Sequence, residues 1–489
     1  MRFRSRKNEI AGRARNGANS LDIGRGTVVC SAPMKRRIGL AALVFVALSL
    51  PALRASAQTE EPSEAAPASA APEEAPAPRL AAPPPVEAPA PAPETGPYVP
   101  FAPPPAPMRI ETPGATIQFG LLAQPAFEMG GAPDDEKMAK NLYLRRIRFM
   151  VGGTVFKYFE YFFDTDWPNL FKQDPADTTS GTGKNAPGLN VQDAYVTFKP
   201  FGQLIKLDAG FMLPAASHNG LESAAKLYGP DYFVNTFRRN VTGNTDPFKS
   251  SPQSPVGRDT GVQLRVLALN SHIDVRVGMF QGLRLGEVPA AGAMPAVIGG
   301  LNMFRVAARL QLNLLDGEPG YFYQGTYHGA KKIVSLGGFI DYQDPYKYFG
   351  GDVFVDLPVG PGILTAQGTF GKWDGGIYRD SNNLEVQFAA MGKATVYLAE
   401  IGYLIAPIRL SPIARFERLD TPLVQNPDPA MPGLIPDPSN PKEDRFGGGL
   451  AFWPYGHNSN LKAFFTRVHR QPSRHEFNVV SVQWQVYFY

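Results

Sequence analysis

The sequence predicts an all-β chain: a 16-stranded antiparallel transmembrane β-barrel, preceded by a signal peptide and a disordered Pro/Ala-rich linker. Three observations predict it. The first is an export leader. The second is a long region of short segments in which apolar and polar residues strictly alternate. The third is a run of links between those segments in which short and long largely alternate, as in barrels with brief inner turns and extended outer loops.

The leader comes first. Met34-Lys35-Arg36-Arg37 is a short basic region, Ile38 to Leu50 an apolar run, and Ala55-Ser56-Ala57 a small-residue cleavage pattern before Gln58. That is the layout of a secretory signal peptide. The apolar run is too short to cross about 30 Å of hydrocarbon as a helix. Residues 1–33 read as an Arg-rich extension ahead of a second methionine. The only cysteine among 489 residues is Cys30, so a disulfide scaffold is excluded, and cleavage near Ala57 yields a thiol-free chain suited to an oxidising compartment.

Charge is equally uneven. Residues 1–57 carry 11 Lys and Arg against 2 Asp and Glu, and the rest of the chain is net −5, although the whole is +4. From Met108 onward the balance is near neutral, which excludes a bulk affinity for nucleic acid. Residues 58–108 are almost wholly Ala, Pro and Glu, with Pro83, Pro84 and Pro85 in series. Such a stretch cannot pack a core and behaves as an extended spacer.

No later segment offers about 18 consecutive apolar residues, so an exported chain is either soluble or a barrel. From Ala115 to Tyr489 the alternation decides. Phe304, Val306, Ala308, Leu310 and Leu312 share one face of a segment whose other face is Arg305, Ala307, Arg309, Gln311 and Asn313. Near the end, Val480, Val482, Trp484, Val486 and Phe488 alternate with Ser481, Gln483, Gln485 and Tyr487. About sixteen such segments occur, each near ten residues, a fit to tilted membrane strands. They start near Ala115, Tyr143, Lys157, Leu189, Gln203, Arg258, Ile273, Met303, Lys332, Tyr348, Gly362, Ala394, Pro407, Asp444, Ser459 and Phe477. One link, Leu314 to Lys331, is long where the alternation calls for a short one. Phe159, Tyr161, Phe163, Tyr403, Trp453 and Tyr455 fit aromatic girdles at the two interfaces.

A barrel of this kind puts polar groups around water and apolar ones against lipid. The same parity makes Arg146, Arg148, Lys206, Arg265, Arg276, Arg305, Arg309, Arg415 and Lys462 the candidate lining. Glu160, Asp164, Asp166, Asp193, Asp208, Asp274, Asp341 and Glu417 also point inward. Guanidinium groups in rows offer fixed donors to a passing oxyanion; paired with those acids, they brace the wall instead. On a wet wall, Arg148→Ala and Arg305→Ala are expected to lower anion preference with little loss of folding. The longest outer loop, Leu213 to Gly257, adds Lys226, Arg238 and Arg239 and narrows the pore if it folds inward. There is no phosphate-cradling GxxxxGK[ST], no metal-spaced Cys/His set and no GxSxG elbow, so neither a cofactor nor an enzymatic activity is expected.

Several spaced elements together resemble the phosphate-selective porin O and P family of outer-membrane channels. They are LRRIRFMVGG at Leu144 to Gly153, followed by FEYFFDTDW, LNVQDAYVTF at Leu189 to Phe198, LDAGFMLP at Leu207 to Pro214 and GRDTGVQL at Gly257 to Leu264. GGDVFVDLP at Gly350 to Pro358, GYL with PIARFE at Gly402 to Glu417, and WPYGHNSNLKAFFTR at Trp453 to Arg467 complete the set. The resemblance implies a porin domain over 109–489 in the outer membrane of a Gram-negative bacterium. It further implies a homotrimer in lipid, an inward-folded third outer loop and a preference for phosphate or other small anions. Carried over by position, loop 213–257 is the constriction, and Arg146, Arg148 and Arg415 belong to the wall. Two features depart from the pattern: the loop is poor in lysine, and the aromatic closing signal ends at Phe488 rather than Tyr489. Apart from a channel, two readings fit the residues: a structural or surface-binding barrel with a plugged lumen, and a soluble secreted β-protein.

Overall fold

A computed structural model describes residues 107–131, 138–172, 188–233, 257–282, 304–343, 346–374, 377–379, 385–387, 393–425, 434–436, 442–471 and 476–489. The leader and nearly all of the 58–108 stretch lie outside the described residues, as do Arg238 and Arg239.

Alternation of side chains makes each strand two-faced, and sixteen of them close into one antiparallel barrel. A short strand β1 (Met108–Thr112) leads into the first barrel strand. The barrel then runs β2 (Ala115–Gly131), β3 (Met138–Val155), β4 (Phe159–Asp166), β5 (Asn190–Phe198), β6 (Ile205–Met212), β7 (Asp259–Ala268), β8 (Ile273–Phe280) and β9 (Arg305–Asn313). It continues through β10 (Ile333–Gln343), β11 (Tyr346–Val359), β12 (Gly362–Asp374), β15 (Lys393–Ile405), β16 (Leu410–Asp420), β19 (Lys442–Phe452), β20 (Ser459–Gln471) and β21 (Glu476–Phe488). Two small hairpins, β13 (Ile377–Arg379) with β14 (Glu385–Gln387) and β17 (Leu423–Gln425) with β18 (Leu434–Pro436), stand in the long links. Closure is by β2 on β21, from Leu121 opposite Phe488 to Gly130 opposite Val479. Closing the sheet removes the unpaired edge, which a strand array in hydrocarbon cannot tolerate.

The two faces sort as the alternation requires. Along β9, Arg305, Ala307, Arg309, Gln311 and Asn313 are buried, while Val306, Leu310 and Leu312 are exposed on the outer surface. Trp484 is 52% exposed between Gln483 and Gln485, which are nearly sealed inside. Here the outer band is oily and the interior polar, the reverse of a soluble core. One girdle residue departs from expectation: Trp453 is buried, donating from Nε1 to Ser411 Oγ at 3.0 Å and stacked on Tyr228. It anchors the lumen contents, whereas Phe159, Phe163 and Tyr455 stay exposed.

Turn chemistry fixes the short ends. Leu269, Asn270 and Ser271 all take positive φ between β7 and β8, and Gly360 does so between β11 and β12. The long link between β9 and β10 lies on this short-turn side, and its reason is now visible: residues 314–332 rise into the barrel instead of turning at its rim.

Candidate functional site

The inward arginines are where parity placed them, and carboxylates meet them. Arg148 reaches Asp164 at 3.3 Å and Asp166 at 3.0 Å. Arg265 is held by Asp208 at 2.6 Å and Arg309 by Asp352 at 2.6 Å. Arg305 takes Asp341 at 2.7 Å and Asp259 at 3.2 Å, and Arg415 takes Glu417 at 2.6 Å and Glu400 at 2.9 Å. Arg276 binds Asp274 at 2.8 Å and donates to the carbonyls of Tyr321 and Gly320. Lys206 stands 3.9 Å from Glu160. The wall is therefore braced by ion pairs in addition to its ladder. This corrects the expectation of harmless truncation: Arg305→Ala takes the guanidinium away from two buried carboxylates, and removing one partner of a buried pair costs about 3–5 kcal/mol.

Two inserted segments fill the middle. The described part of loop 213–257, residues 213–233, lies inside the barrel and touches the wall all round. Its Ala216 carbonyl accepts from Arg309, Ala224 from Gln124, Ala225 from Gln485, and Leu227 and Gly229 from Lys462. A four-residue helix, α1 (His218–Leu221), sits in it, capped by Ser217. Facing it is link 314–332, zipped on by backbone bonds from Tyr323 N to Leu221 O at 2.9 Å, Ser223 N to Tyr323 O at 3.0 Å and Gly325 N to Lys226 O at 2.8 Å. Link tyrosines also lie under wall guanidiniums, with Arg265 4.7 Å from the Tyr321 ring and Arg276 4.6 Å from Tyr323.

His218 joins the two segments. Its Nδ1 is 3.3 Å from Glu222 of the loop and its Nε2 is 3.2 Å from Glu318 of the link. The ring stacks between Tyr323 and Phe354. Burial opposes its charge, but Glu318 and Glu222 prevail and hold the imidazole up to about 9. Glu222 itself is pushed up to about 7, chiefly by burial. His328 goes the other way, down to about 3, because it is buried and Lys462 repels its proton.

Two chambers flank this plug. The outer one, about 280 Å³, is lined by Lys172, Arg145, Arg415, Arg445 and Arg470 against Glu128, Asp231 and Glu417, with Gln483 and several apolar groups. Arg145 escaped the parity count because β3 bulges opposite Gln124 and Pro125, so Arg145 and Arg146 both turn inward. A proline cannot donate to the ladder and favours such a bulge, which made Pro125 the available signal. Both guanidiniums clasp Asp231, at 2.7 and 2.6 Å. Burial would raise the Asp231 carboxyl, but Arg145 and Arg146 hold it well below the ordinary range. The inner chamber, about 240 Å³, lies between the wall, Lys226 of the loop, Tyr321 and Phe322 of the link, and Tyr489. Tyr232 lines both chambers and donates from its hydroxyl to Glu222 O at 2.8 Å. Of the other predicted residues, Lys226 lies at the inner chamber, while Lys206, Arg265, Arg276, Arg305 and Arg309 lie in the wall and line neither.

Fold and lumen together define a transmembrane β-barrel of channel type. Residues 126–236 match the family model described as phosphate-selective porin O and P, a stretch running from β2 through β6 into the inserted loop. Among solved structures, the anion-selective porin of Comamonas acidovorans matches at 11% identity and TM-score 0.46, covering 76% of this chain and 100% of its own. Salmonella typhi OmpF matches at 11% and 0.44, over 77% and 100%, and the DcaP channel of Acinetobacter baumannii at 12% and 0.43, over 77% and 99%. At that identity and superposition, the solutes of those proteins carry no information about this one. No curated protein matches the chain.

Proposed function

We propose that this chain is an outer-membrane porin that passes small anions, phosphate among them, by diffusion through water, without a catalytic step. The observation that carries the reading is the outer chamber. It gathers five basic side chains against three acids in its lining, with Glu443 bridging Arg445 and Arg470 just beside it. Among the described residues these groups sum to one positive charge in excess, which focuses anions toward the mouth. The sequence adds export by cleavage near Ala57, a spacer over 58–108, a porin domain over 109–489 and, through the family resemblance, a homotrimer.

A plugged structural barrel is favoured by a different observation, the filling of the lumen by 213–233 and 314–332. Planar-bilayer recordings of the folded protein separate the two. A channel for anions gives a reversal potential toward the anion equilibrium under a salt gradient, in chloride and in phosphate. Cation preference refutes the anion reading, and silence in every salt supports the plug.

A further inference from the structure

The inner chamber differs in kind from the outer one. Its walls are Leu122, Met150, Phe162, Phe322 and the rings of Tyr195, Tyr232, Tyr321, Tyr487 and Tyr489. Arg148 and Arg258 also line it, but both are spent on carboxylates: Arg148 on Asp164 and Asp166, Arg258 on Asp193 at 3.1 Å. Lys226 is different. Its backbone carbonyl accepts from Gly325, but among the described residues no carboxylate lies within ion-pair distance of its ammonium. It keeps part of its surface open, yet enough protein surrounds it that burial alone lowers its affinity for the proton. An ammonium opening on a cavity has that combination.

We infer that the inner chamber is a binding site for a small monoanion with a flat apolar body, an aromatic carboxylate, whose carboxylate meets Lys226 and whose ring lies among the tyrosines. An apolar cavity of about 150 Å³ holds a benzene ring; a chamber of about 240 Å³ leaves room for a carboxylate as well. Phosphate suits the place less. A dianion would surrender more hydration to an aromatic wall for a single ammonium, and the unmet Oδ1 of Asp164 in the same chamber repels it about twice as strongly as a monoanion. This deepens the anion-channel reading by naming a solute class for the inner half of the path.

The test is isothermal titration of the full chain, folded in detergent, with sodium benzoate, benzylamine hydrochloride and inorganic phosphate. Benzoate is expected to saturate one site per chain, with benzylammonium and phosphate each weaker by about tenfold or more. Lys226→Met should weaken benzoate by about tenfold or more, and Lys226→Arg should retain it. Folding of each variant is read from the heat-dependent gel shift of the barrel. Equal binding of benzoate and benzylammonium, tighter binding of phosphate, or unchanged benzoate binding by Lys226→Met overturns the assignment, as does a wild-type protein that gives no benzoate heat. If Lys226→Met does not fold, the benzoate and benzylammonium comparison on the wild type decides alone. Binding requires no conductance, so a silent bilayer sinks the channel reading without touching this one, and a conducting protein blind to benzoate does the reverse.

Discussion

His218→Ala tests whether the loop and link hold one another in the lumen. The substitution removes an imidazolium buried between Glu222 and Glu318 and leaves Glu318, itself buried, without that partner. Breaking a buried ion pair costs about 3–5 kcal/mol. The raised imidazole gives a similar figure: about 9 in the folded chain against an ordinary 6.5 corresponds to roughly 3 kcal/mol. Because the folded value is raised, this stabilisation is complete below pH 6.5 and is lost as pH rises through 9. Glu222, raised to about 7, acts in the same direction, since its buried carboxyl is better tolerated protonated. Glu318 is lowered, burial being outweighed by His218, so its share is present at neutral pH and lost in acid. Among the described residues, Asp352, which accepts from the His218 backbone N–H, and Arg309, paired with Asp352, also stand beside His218. Three backbone bonds and the wall contacts survive the substitution, so the barrel should still fold. An open plug should become about a hundredfold more populated. In single-channel recording, the wild type should gain conductance between pH 8 and 10, and His218→Ala should show the larger conductance already at pH 7, with little further change. A variant that conducts and titrates like the wild type would refute a plug held by this residue.

Val306→Arg places a charge on the lipid face of β9 and should cost about 2–4 kcal/mol of insertion free energy near the midplane. Its neighbour Arg305→Ala should cost a similar amount by another route, taking the guanidinium from Asp341 and Asp259; the added variant Asp341→Asn should relieve part of that loss, while nothing on the inner face relieves Val306→Arg. Urea unfolding in liposomes reads both, and equal rescue would overturn the sorting of faces. Asp231→Asn removes the carboxylate shared by Arg145 and Arg146, so the mouth gains one positive charge. Its reversal potential should shift toward the anion value, less so at high salt; no shift, or a shift toward cations, would count against the mouth as the source of preference. Tyr232→Ala should join the two chambers and raise conductance severalfold, and unchanged conductance would show that the path bypasses that ring.

What could be read from the chain follows from the range of the forces involved. Alternation is local, so β9 and β21 declare their faces in the sequence, and all sixteen strands begin within about five residues of where the pattern starts them. Parity failed where the backbone departs from period two, at the bulge that turns Arg145 inward. Ion pairing was harder to see, because register brings Arg305 to Asp341 and Arg309 to Asp352 across 36 and 43 residues. The aromatic run Tyr321-Phe322-Tyr323 was the overlooked sign in the long link: a rim turn has no use for three consecutive rings, whereas a segment packed beneath guanidiniums does.

The pairing of the wall also bears on where selectivity can reside. A guanidinium held by carboxylates of the same wall presents little net field to a passing ion, and exchanging that partner for a solute sacrifices the existing bonds. A row of such pairs is therefore a poor ladder for phosphate, however regular its spacing. Charge that the pairing does not cancel must do the selecting, and it lies on or around the inserted segments: the net excess at the outer chamber, whose cations are themselves paired, and Lys226 at the inner one. Loop 213–233 and link 314–332 then do more than narrow the lumen. They set its chemistry, with hydrated charge on one side of Tyr232 and aromatic surface on the other. An anion crossing the barrel would have to suit both.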